Sequence, residues 1–159
     1  MLDLGEVARA AVEELQIAHP DRQLVLEREG ELHGFWDRTR MGQLVSNLVA
    51  NAVQHGDDPI TVRVSADDDH VVVRVSNRGQ PIPEPALPSL FDPFRRGFAD
   101  SSDKARLGLG LFIVAEIVRR HDGAIDVRSS GDETAFTIRL PRQPSMARGE
   151  VAEHPAGPV

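Results

Sequence analysis

Three side chains that can form strong hydrogen bonds recur at intervals of four within an otherwise apolar segment. They are Asn47, Asn51 and His55, in the stretch QLVSNLVANAVQHG at residues 43–56. Residues four apart on a helix share one face. That face adjoins an apolar stripe that contains Leu44, Val45, Leu48 and Ala52. It is either a ligand-binding surface or the solvated side of an amphipathic helix, and this segment alone leaves both interpretations open.

Two further segments combine glycine or proline with polar residues. SNRGQPIP, at residues 76–83, places Ile82 between two prolines, which predicts a rigid loop that projects one apolar side chain. RLGLGLFIV, at residues 106–114, places Gly108 and Gly110 at the predicted start of a helix. Glycines there allow backbone amides to approach a ligand, and a helix N-terminus favours phosphate. Taken alone, the second segment also fits a glycine-rich hinge.

The elements that must position these residues follow from the period of the apolar side chains. A helical period predicts helices over 4–17, 37–55 and 109–121, with Asp37 as an N-cap. A period of two predicts strands over 60–66, 70–77, 124–130 and 134–141. Residues 23–29 and 32–36 predict either a hairpin or two short strands. The loop at 79–107 is long enough to indicate a functional or mobile segment.

Composition limits the class of protein. With 159 residues, of which 40% are apolar, the chain predicts one domain over residues 1–142 and a disordered tail over 143–159. A formal charge of −7 argues against a nucleic-acid partner. The absence of cysteine excludes disulfides and thiolate metal sites. No apolar run approaches the roughly 20 residues of a membrane span, so we expect a soluble, cytoplasmic domain, with the membrane attachment of its parent protein left open.

Five segments, taken in order, resemble the motifs of the catalytic and ATP-binding domain of sensor histidine kinases. NLVANAVQH (47–55) is similar to the N box of that family, VSNRGQPIP (75–83) to its first glycine box, LFDPFRRG (90–97) to its F box, LGLGLFIVAEIVRRHDG (107–123) to its second glycine box, and GDETAFTIRLP (131–141) to the closing box. The resemblance implies the Bergerat ATP-binding fold. This is a two-layer α/β sandwich in which a mixed sheet of about five strands is packed on one face by three helices. It also implies a flexible ATP lid over 97–107.

On the phosphate side, the resemblance implies that Asn51 coordinates Mg²⁺ through its amide oxygen and that the cation bridges the phosphates. Asn47 would lie at the catalytic centre, where related ATPases carry a glutamate that activates water. An amide cannot act as a general base, which suits an enzyme that spares ATP for a protein acceptor. His55 would lie near ribose or phosphate. The remaining phosphate contacts would come from Gly108, Leu109, Gly110, Leu111 and Arg96, with Arg95 or Lys104 as a further cation.

On the base side, the resemblance implies that Ile82 and Phe94 wall the adenine and that Thr134 reaches it directly or through water. Asn77, followed by Gly79 of the same box, would accept from the adenine amino group, although the family usually has aspartate at the position of Asn77. The other departures from the family pattern are Gln54 in place of a lysine, and Arg106 and Glu133 in place of glycines.

The function implied is transfer of the γ-phosphate of Mg²⁺–ATP to a histidine on a helical hairpin that dimerises the parent kinase, followed by transfer to a response regulator. None of the six histidines in this chain has the sequence setting of that acceptor. We therefore expect an isolated, monomeric catalytic domain of a homodimeric parent. Two alternatives stay open: a serine kinase of the anti-sigma-factor type, and a degenerate nucleotide-dependent binding module.

Overall fold

The computed structural model describes residues 1–93 and 104–145, with the backbone alone at 104–108. The helices of these parts are α1 (Leu4–Ala18), α2 (Arg38–His55) and α3 (Lys104–Arg120), with a 3-10 helix at Glu84–Ser89. The strands are β1 (Leu2–Asp3), β2 (Leu24–Arg28), β3 (His33–Gly34), β4 (Asp57–Ala66), β5 (His70–Arg78), β6 (Ala124–Ser130) and β7 (Glu133–Pro141). None of the helices in this part of the chain has the length and apolarity that a bilayer crossing requires.

The main sheet has five strands in the order β2-β4-β5-β7-β6. Strand β2 pairs with β4 in parallel, and the other neighbours pair in antiparallel fashion. A crossover that includes α2 connects the parallel pair, as parallel strands require. Strands β1 and β3 form a separate two-stranded sheet beside the main one.

The core lies between one face of this sheet and the three helices. Because side chains alternate along a strand, every second residue faces the same layer. The positions on the helix side are apolar and almost fully buried, among them Ile60, Val62, Val64, Val71, Val73, Val75, Phe136, Ile138 and Leu140. Helix α2 contributes Leu44, Val45, Leu48 and Ala52, each at most 2% exposed, so the apolar stripe expected on this helix is confirmed. The expected two-layer sandwich with three helices on one face is confirmed as well.

Two polar caps fix where the first two helices begin. The Asp37 carboxylate accepts from the backbone N–H of Arg40 at 2.9 Å, as the sequence predicts. The Asp3 carboxylate accepts from Gly5 and Glu6 in the same way and starts α1 at Leu4. Helix α2 thus has a defined start, and its register carries Asn47, Asn51 and His55 toward the carboxyl end of the helix.

The structure corrects three predictions about the elements, namely the hairpin at 23–36, the loop at 79–107 and the start of α3. Of the two readings of residues 23–36, the hairpin is wrong, since β2 pairs with β4 and β3 pairs with β1. Beside β4, strand β2 lines Leu24 and Leu26 up with Ile60 and Val62 on the helix side, which a local hairpin would not achieve. The predicted loop contains the 3-10 helix Glu84–Ser89.

Helix α3 begins at Lys104, five residues earlier than predicted. Lysine, alanine, arginine and leucine at 104–107 all have high helix propensity and extend the helix upstream. The first residues of the predicted tail are packed against the domain. Pro144 is buried, and the Ser145 N–H donates to the Asp122 carboxylate. Residues 146–159 lie outside the described part of the chain.

Candidate functional site

Three neighbouring strands carry polar side chains at the helix-facing positions of one end of the sheet. Asn77 of β5 lies opposite Thr134 of β7, and Thr134 lies opposite Ser129 of β6. One step further along the same face, the corresponding residues are apolar. They are Val75, Phe136 and Val127. Asn77 and Thr134 are only 9% and 6% exposed, so this end of the sheet buries hydrogen-bonding groups where packing alone would favour apolar ones. We call Asn77, Thr134 and Ser129 the polar row.

The polar row holds the loop that follows β5. The backbone N–H of Ile82 donates to Ser129 Oγ at 2.7 Å, and Ser129 Oγ shares a hydrogen bond of 2.6 Å with Thr134 Oγ1. The Ile82 side chain packs against the core. Ser129 was not among the residues singled out from the sequence. Its signal is a polar residue on the inward side of β6, in phase with Ile125 and Val127.

The Asn77 side chain has a defined orientation. Its Nδ2 donates to the backbone carbonyl of Arg78 at 2.7 Å. With Nδ2 engaged as a donor, Oδ1 is the atom through which this side chain can accept a hydrogen bond from a ligand. A reversed amide would set Oδ1 against the Arg78 carbonyl, so two acceptors would face one another.

The backbone of Gly56, which ends α2, packs against the Asn77 side chain. A Cβ atom on Gly56 would lie 2.1 Å from Asn77 Nδ2 and 2.2 Å from its Cγ. The backbone at the end of α2 and the amide of β5 therefore fit together only because residue 56 has no side chain. In the sequence Gly56 is recognisable only as a helix stop, and the contact with Asn77 depends on the fold.

Gly79 has a role set by its own backbone. Its φ is +124°, a conformation that side chains of L-residues rarely adopt. Its N–H donates to the Asp132 carbonyl at 2.9 Å, which joins the loop to the turn before β7. A Cβ atom at this position would lie 3.2 Å from the Asp57 carboxylate. Gly79 thus shapes the loop that delivers Ile82 to the polar row.

On α2, the three residues of the predicted polar face have different surroundings. Asn47 is half-buried, and its Nδ2 donates to the Gly110 carbonyl of α3 at 3.3 Å. Asn51 is half-buried and His55 is exposed, next to Gly56. The structure therefore places the predicted face of α2 between α3 at one end and Asn77 of the sheet at the other.

The glycine pair of α3 lies inside the helix rather than at its first residue. Because α3 begins at Lys104, a regular helix leaves the amides of residues 104–106 without partners in the helix, whereas those of Gly108 and Gly110 face the preceding turn. This corrects the expectation that both glycines stand at the helix start. Leu109 is half-buried and Leu111 is buried. Phe94, Arg95, Arg96 and residues 97–103 of the predicted lid lie outside the described residues.

Amide and hydroxyl groups of the site could contact a nucleotide and its cation. Within 1–93 and 104–145, no group of three or more His, Cys, Asp or Glu side chains could hold a metal ion. An amide such as Asn51 supplies one oxygen ligand, and Mg²⁺ is commonly held by one or two protein oxygens together with substrate phosphates. The buried Asn77 amide and the Thr134 hydroxyl suit the edge of a base.

Relatives of known function share this domain. The family model described as histidine kinase-, DNA gyrase B-, and HSP90-like ATPase matches residues 36–144. The signal transduction histidine-protein kinase AfsQ2 of Streptomyces coelicolor is 37% identical over 126 residues, which cover 79% of this chain and 24% of that protein. The probable sensor histidine kinase TcrY of Mycobacterium tuberculosis is 38% identical over 146 residues, which cover 88% of this chain and 30% of that protein. The chain thus spans less than a third of the length of either relative.

Solved structures with the same fold lead to the same family. The catalytic domain of the histidine kinase ThkA superposes with a TM-score of 0.77 and 28% identity, covering 91% of this chain and 96% of that one. The mycobacterial sensor histidine kinase MprB superposes with a TM-score of 0.71 and 26% identity, covering 90% of this chain and 97% of that one. The matched segment contains the polar row, α2 and α3. The chain therefore belongs to the family of histidine kinase-, DNA gyrase B- and HSP90-like ATPases.

Proposed function

We propose that this domain binds Mg²⁺–ATP and provides its γ-phosphoryl group to a histidine on the phosphoacceptor hairpin of a sensor kinase. The observation that carries the proposal is the Asn77 amide. It is buried, its Nδ2 is engaged by the Arg78 carbonyl, and its Oδ1 is left to accept from a donor such as the adenine amino group. The sensor-kinase relatives support the choice of reaction.

The base is assigned to the polar row. Because Ser129 Oγ accepts from the Ile82 N–H, the Ser129 hydroxyl can donate to Thr134, whose own proton is then available to a ring nitrogen of adenine. Ile82, which is held by the same bond, would cover one face of the ring. Guanine presents a carbonyl where adenine presents its amino group, so it would set an acceptor against Asn77 Oδ1.

The phosphates are assigned to the space between α2 and the N-terminal end of α3. Asn51 would hold Mg²⁺ through its amide oxygen, His55 would lie near ribose or phosphate, and Arg96 would supply positive charge. In a regular helix that starts at Lys104, the amides without helical partners belong to residues 104–106. For Gly108, Leu109, Gly110 and Leu111 to offer amides to phosphate, residues 104–108 must leave the helix, and the glycines lower the cost of that change.

Phosphoryl transfer to histidine depends on how the acceptor imidazole is positioned and needs no general base from this domain. A nitrogen–phosphorus bond forms on the acceptor imidazole, the bond between the γ-phosphorus and the β,γ-bridging oxygen breaks, and ADP leaves. Asn47 would occupy the position of the water-activating glutamate of related ATPases, but its amide cannot take a proton. Its Nδ2 donates to the Gly110 carbonyl. Transfer to a protein histidine, rather than hydrolysis by water, is the outcome that such a site favours.

Calorimetric titration with ATP and GTP, each with and without Mg²⁺, tests the binding part of the proposal. ATP should bind more tightly than GTP, and Mg²⁺ should strengthen ATP binding. Equal affinity for the two bases would reject the assignment of Asn77. Addition of a separate phosphoacceptor hairpin then tests the reaction, and phosphate on a serine of a partner would favour the anti-sigma type of kinase instead.

A further inference from the structure

Arg22, from the turn between α1 and β2, makes three contacts at the carboxyl end of α2. Its Nη1 donates to the Val53 carbonyl at 2.5 Å, its Nη2 donates to the Gly56 carbonyl at 2.8 Å, and its Nε donates to the Asp58 carboxylate at 3.0 Å. The Arg22 side chain is only 20% exposed. One guanidinium therefore joins the last turn of α2, the glycine that ends it and the start of β4.

The turn that carries Arg22 is itself held in place. Gln16 of α1 donates from Nε2 to the carbonyls of His19 and Arg22 at 3.1 and 2.7 Å, and its Oε1 accepts from the Leu24 N–H. The Arg22 N–H donates to the His19 carbonyl at 3.0 Å. The guanidinium is thus presented from a fixed backbone, and its planar fork loses less side-chain freedom per hydrogen bond than a lysine would.

The contact has two physical consequences for α2. The last carbonyls of a helix lack partners within the helix and carry partial negative charge, so a guanidinium there satisfies an acceptor and opposes the helix dipole. It also fixes the Gly56 carbonyl, and the Asn77 amide fills the space where a Cβ atom of residue 56 would lie. A displacement of Gly56 would therefore be transmitted to Asn77 by direct contact.

We infer that Arg22 is a positioning residue for nucleotide recognition, acting through Gly56 on the orientation of Asn77. The inference rests on the proposed function, since it assigns Asn77 to the base. Arg22 acts on the site through its bond to the Gly56 carbonyl. It fixes the end of α2, and Gly56 at that end packs against the Asn77 side chain.

Arg142 provides a matched control for a merely structural role. Its guanidinium also binds backbone carbonyls from several segments, namely those of His33, Glu31, Asp67 and Asp68, at 2.6 to 3.1 Å. These contacts join β3 to the turn between β4 and β5, at the opposite end of the sheet from the polar row. Substitution of either arginine should lower stability, but only Arg22 is connected to Asn77.

The test compares Arg22→Lys with Arg142→Lys, which keep the charge but lose the forked donor geometry. We expect both variants to melt at a lower temperature. Only Arg22→Lys should shift the NMR resonance of the Asn77 side-chain amide in nucleotide-free protein, and only Arg22→Lys should weaken ATP binding, by roughly tenfold. Unchanged affinity and an unchanged Asn77 resonance in Arg22→Lys, or equal changes in both variants, would overturn the inference.

The two readouts separate this inference from the proposed function. If the unsubstituted protein does not bind ATP, the proposed function fails, and the Asn77 resonance alone decides whether Arg22 positions that amide. If Arg22→Lys does not fold, Asp58→Ala removes one of the three contacts and should shift the same resonance with a loss of ATP affinity of about twofold. No shift in Asp58→Ala would then overturn the inference.

Discussion

Replacement of Gly56 by alanine is the change that addresses the geometry of the base site most directly. The added Cβ would lie 2.1 Å from Asn77 Nδ2 and 2.7 Å from Asn77 Cβ, whereas ordinary contacts of a Cβ atom begin near 3.4 Å. Relief of this overlap requires Asn77 or Gly56 to move by about 1 Å. Asn77 is 9% exposed and its strand is paired on both sides, so the overlap must be relieved by displacing its side chain or the end of α2.

The size of the effect follows from this overlap. Insertion of a methyl group into a packed site costs about 1–3 kcal/mol of stability. Misplacement by about 1 Å of the group that contacts the ligand should lower the affinity for ATP by up to about a hundredfold. The backbone of Gly56 has φ −115°, which alanine tolerates, so the loss would come from the contact with Asn77 and not from backbone strain.

The assay is urea unfolding together with calorimetric titration of ATP and GTP, and the control is Gly42→Ala. Gly42 lies on the same helix, but a Cβ atom there would meet nothing within 4 Å. Alanine at that position should stabilise the helix by about 0.5–1 kcal/mol and leave binding unchanged. If Gly56→Ala binds ATP as tightly as the unsubstituted protein and keeps its preference over GTP, the placement of the base beside Asn77 is refuted.

Four further substitutions, at three positions, have defined outcomes. Asn51→Ala should weaken binding of Mg²⁺–ATP far more than binding of ATP without Mg²⁺, and equal losses in the two titrations would reject the cation role. Asn77→Leu should abolish the preference for ATP over GTP. Asn77→Asp should sharpen that preference but lower the melting temperature, because a carboxylate oxygen would replace the donor that faces the Arg78 carbonyl. Ser129→Ala should cost about 1 kcal/mol of stability and weaken ATP binding several-fold, measured by the same titration, since the Ile82 N–H loses its acceptor.

The elements that depend on local pattern could be predicted from the sequence. The cap at Asp37, the apolar stripe of α2 and the alternation in β4, β5, β6 and β7 are properties of neighbouring residues. The partner of β2 could not be predicted, because the choice between a hairpin and a parallel pair depends on where β4 lies in the folded chain. The start of α3 differs from the prediction because the helix formers at 104–107 outweigh the glycines at 108 and 110.

In the site, the sequence identifies residues by type, and the structure adds the contacts that hold them. Asn77 and Thr134 are indicated by the resemblance of the motifs that contain them. Ser129, Gly56 and Arg22 are not, because their roles depend on contacts across 47, 21 and 31 or more positions of the chain. Such contacts exist only after the sheet has formed, so local pattern contains little sign of them.

Transfer of radiolabelled γ-phosphate from ATP to a separate phosphoacceptor hairpin tests the central claim most directly. With Mg²⁺ present, we expect label on the hairpin that is lost in acid and stable in base, as a phosphorus–nitrogen bond requires. Replacement of the acceptor histidine on the hairpin, or Asn51→Ala in this domain, should abolish the label. Tight binding of Mg²⁺–ATP with no label on the hairpin, or with acid-stable label on a serine, would contradict the account.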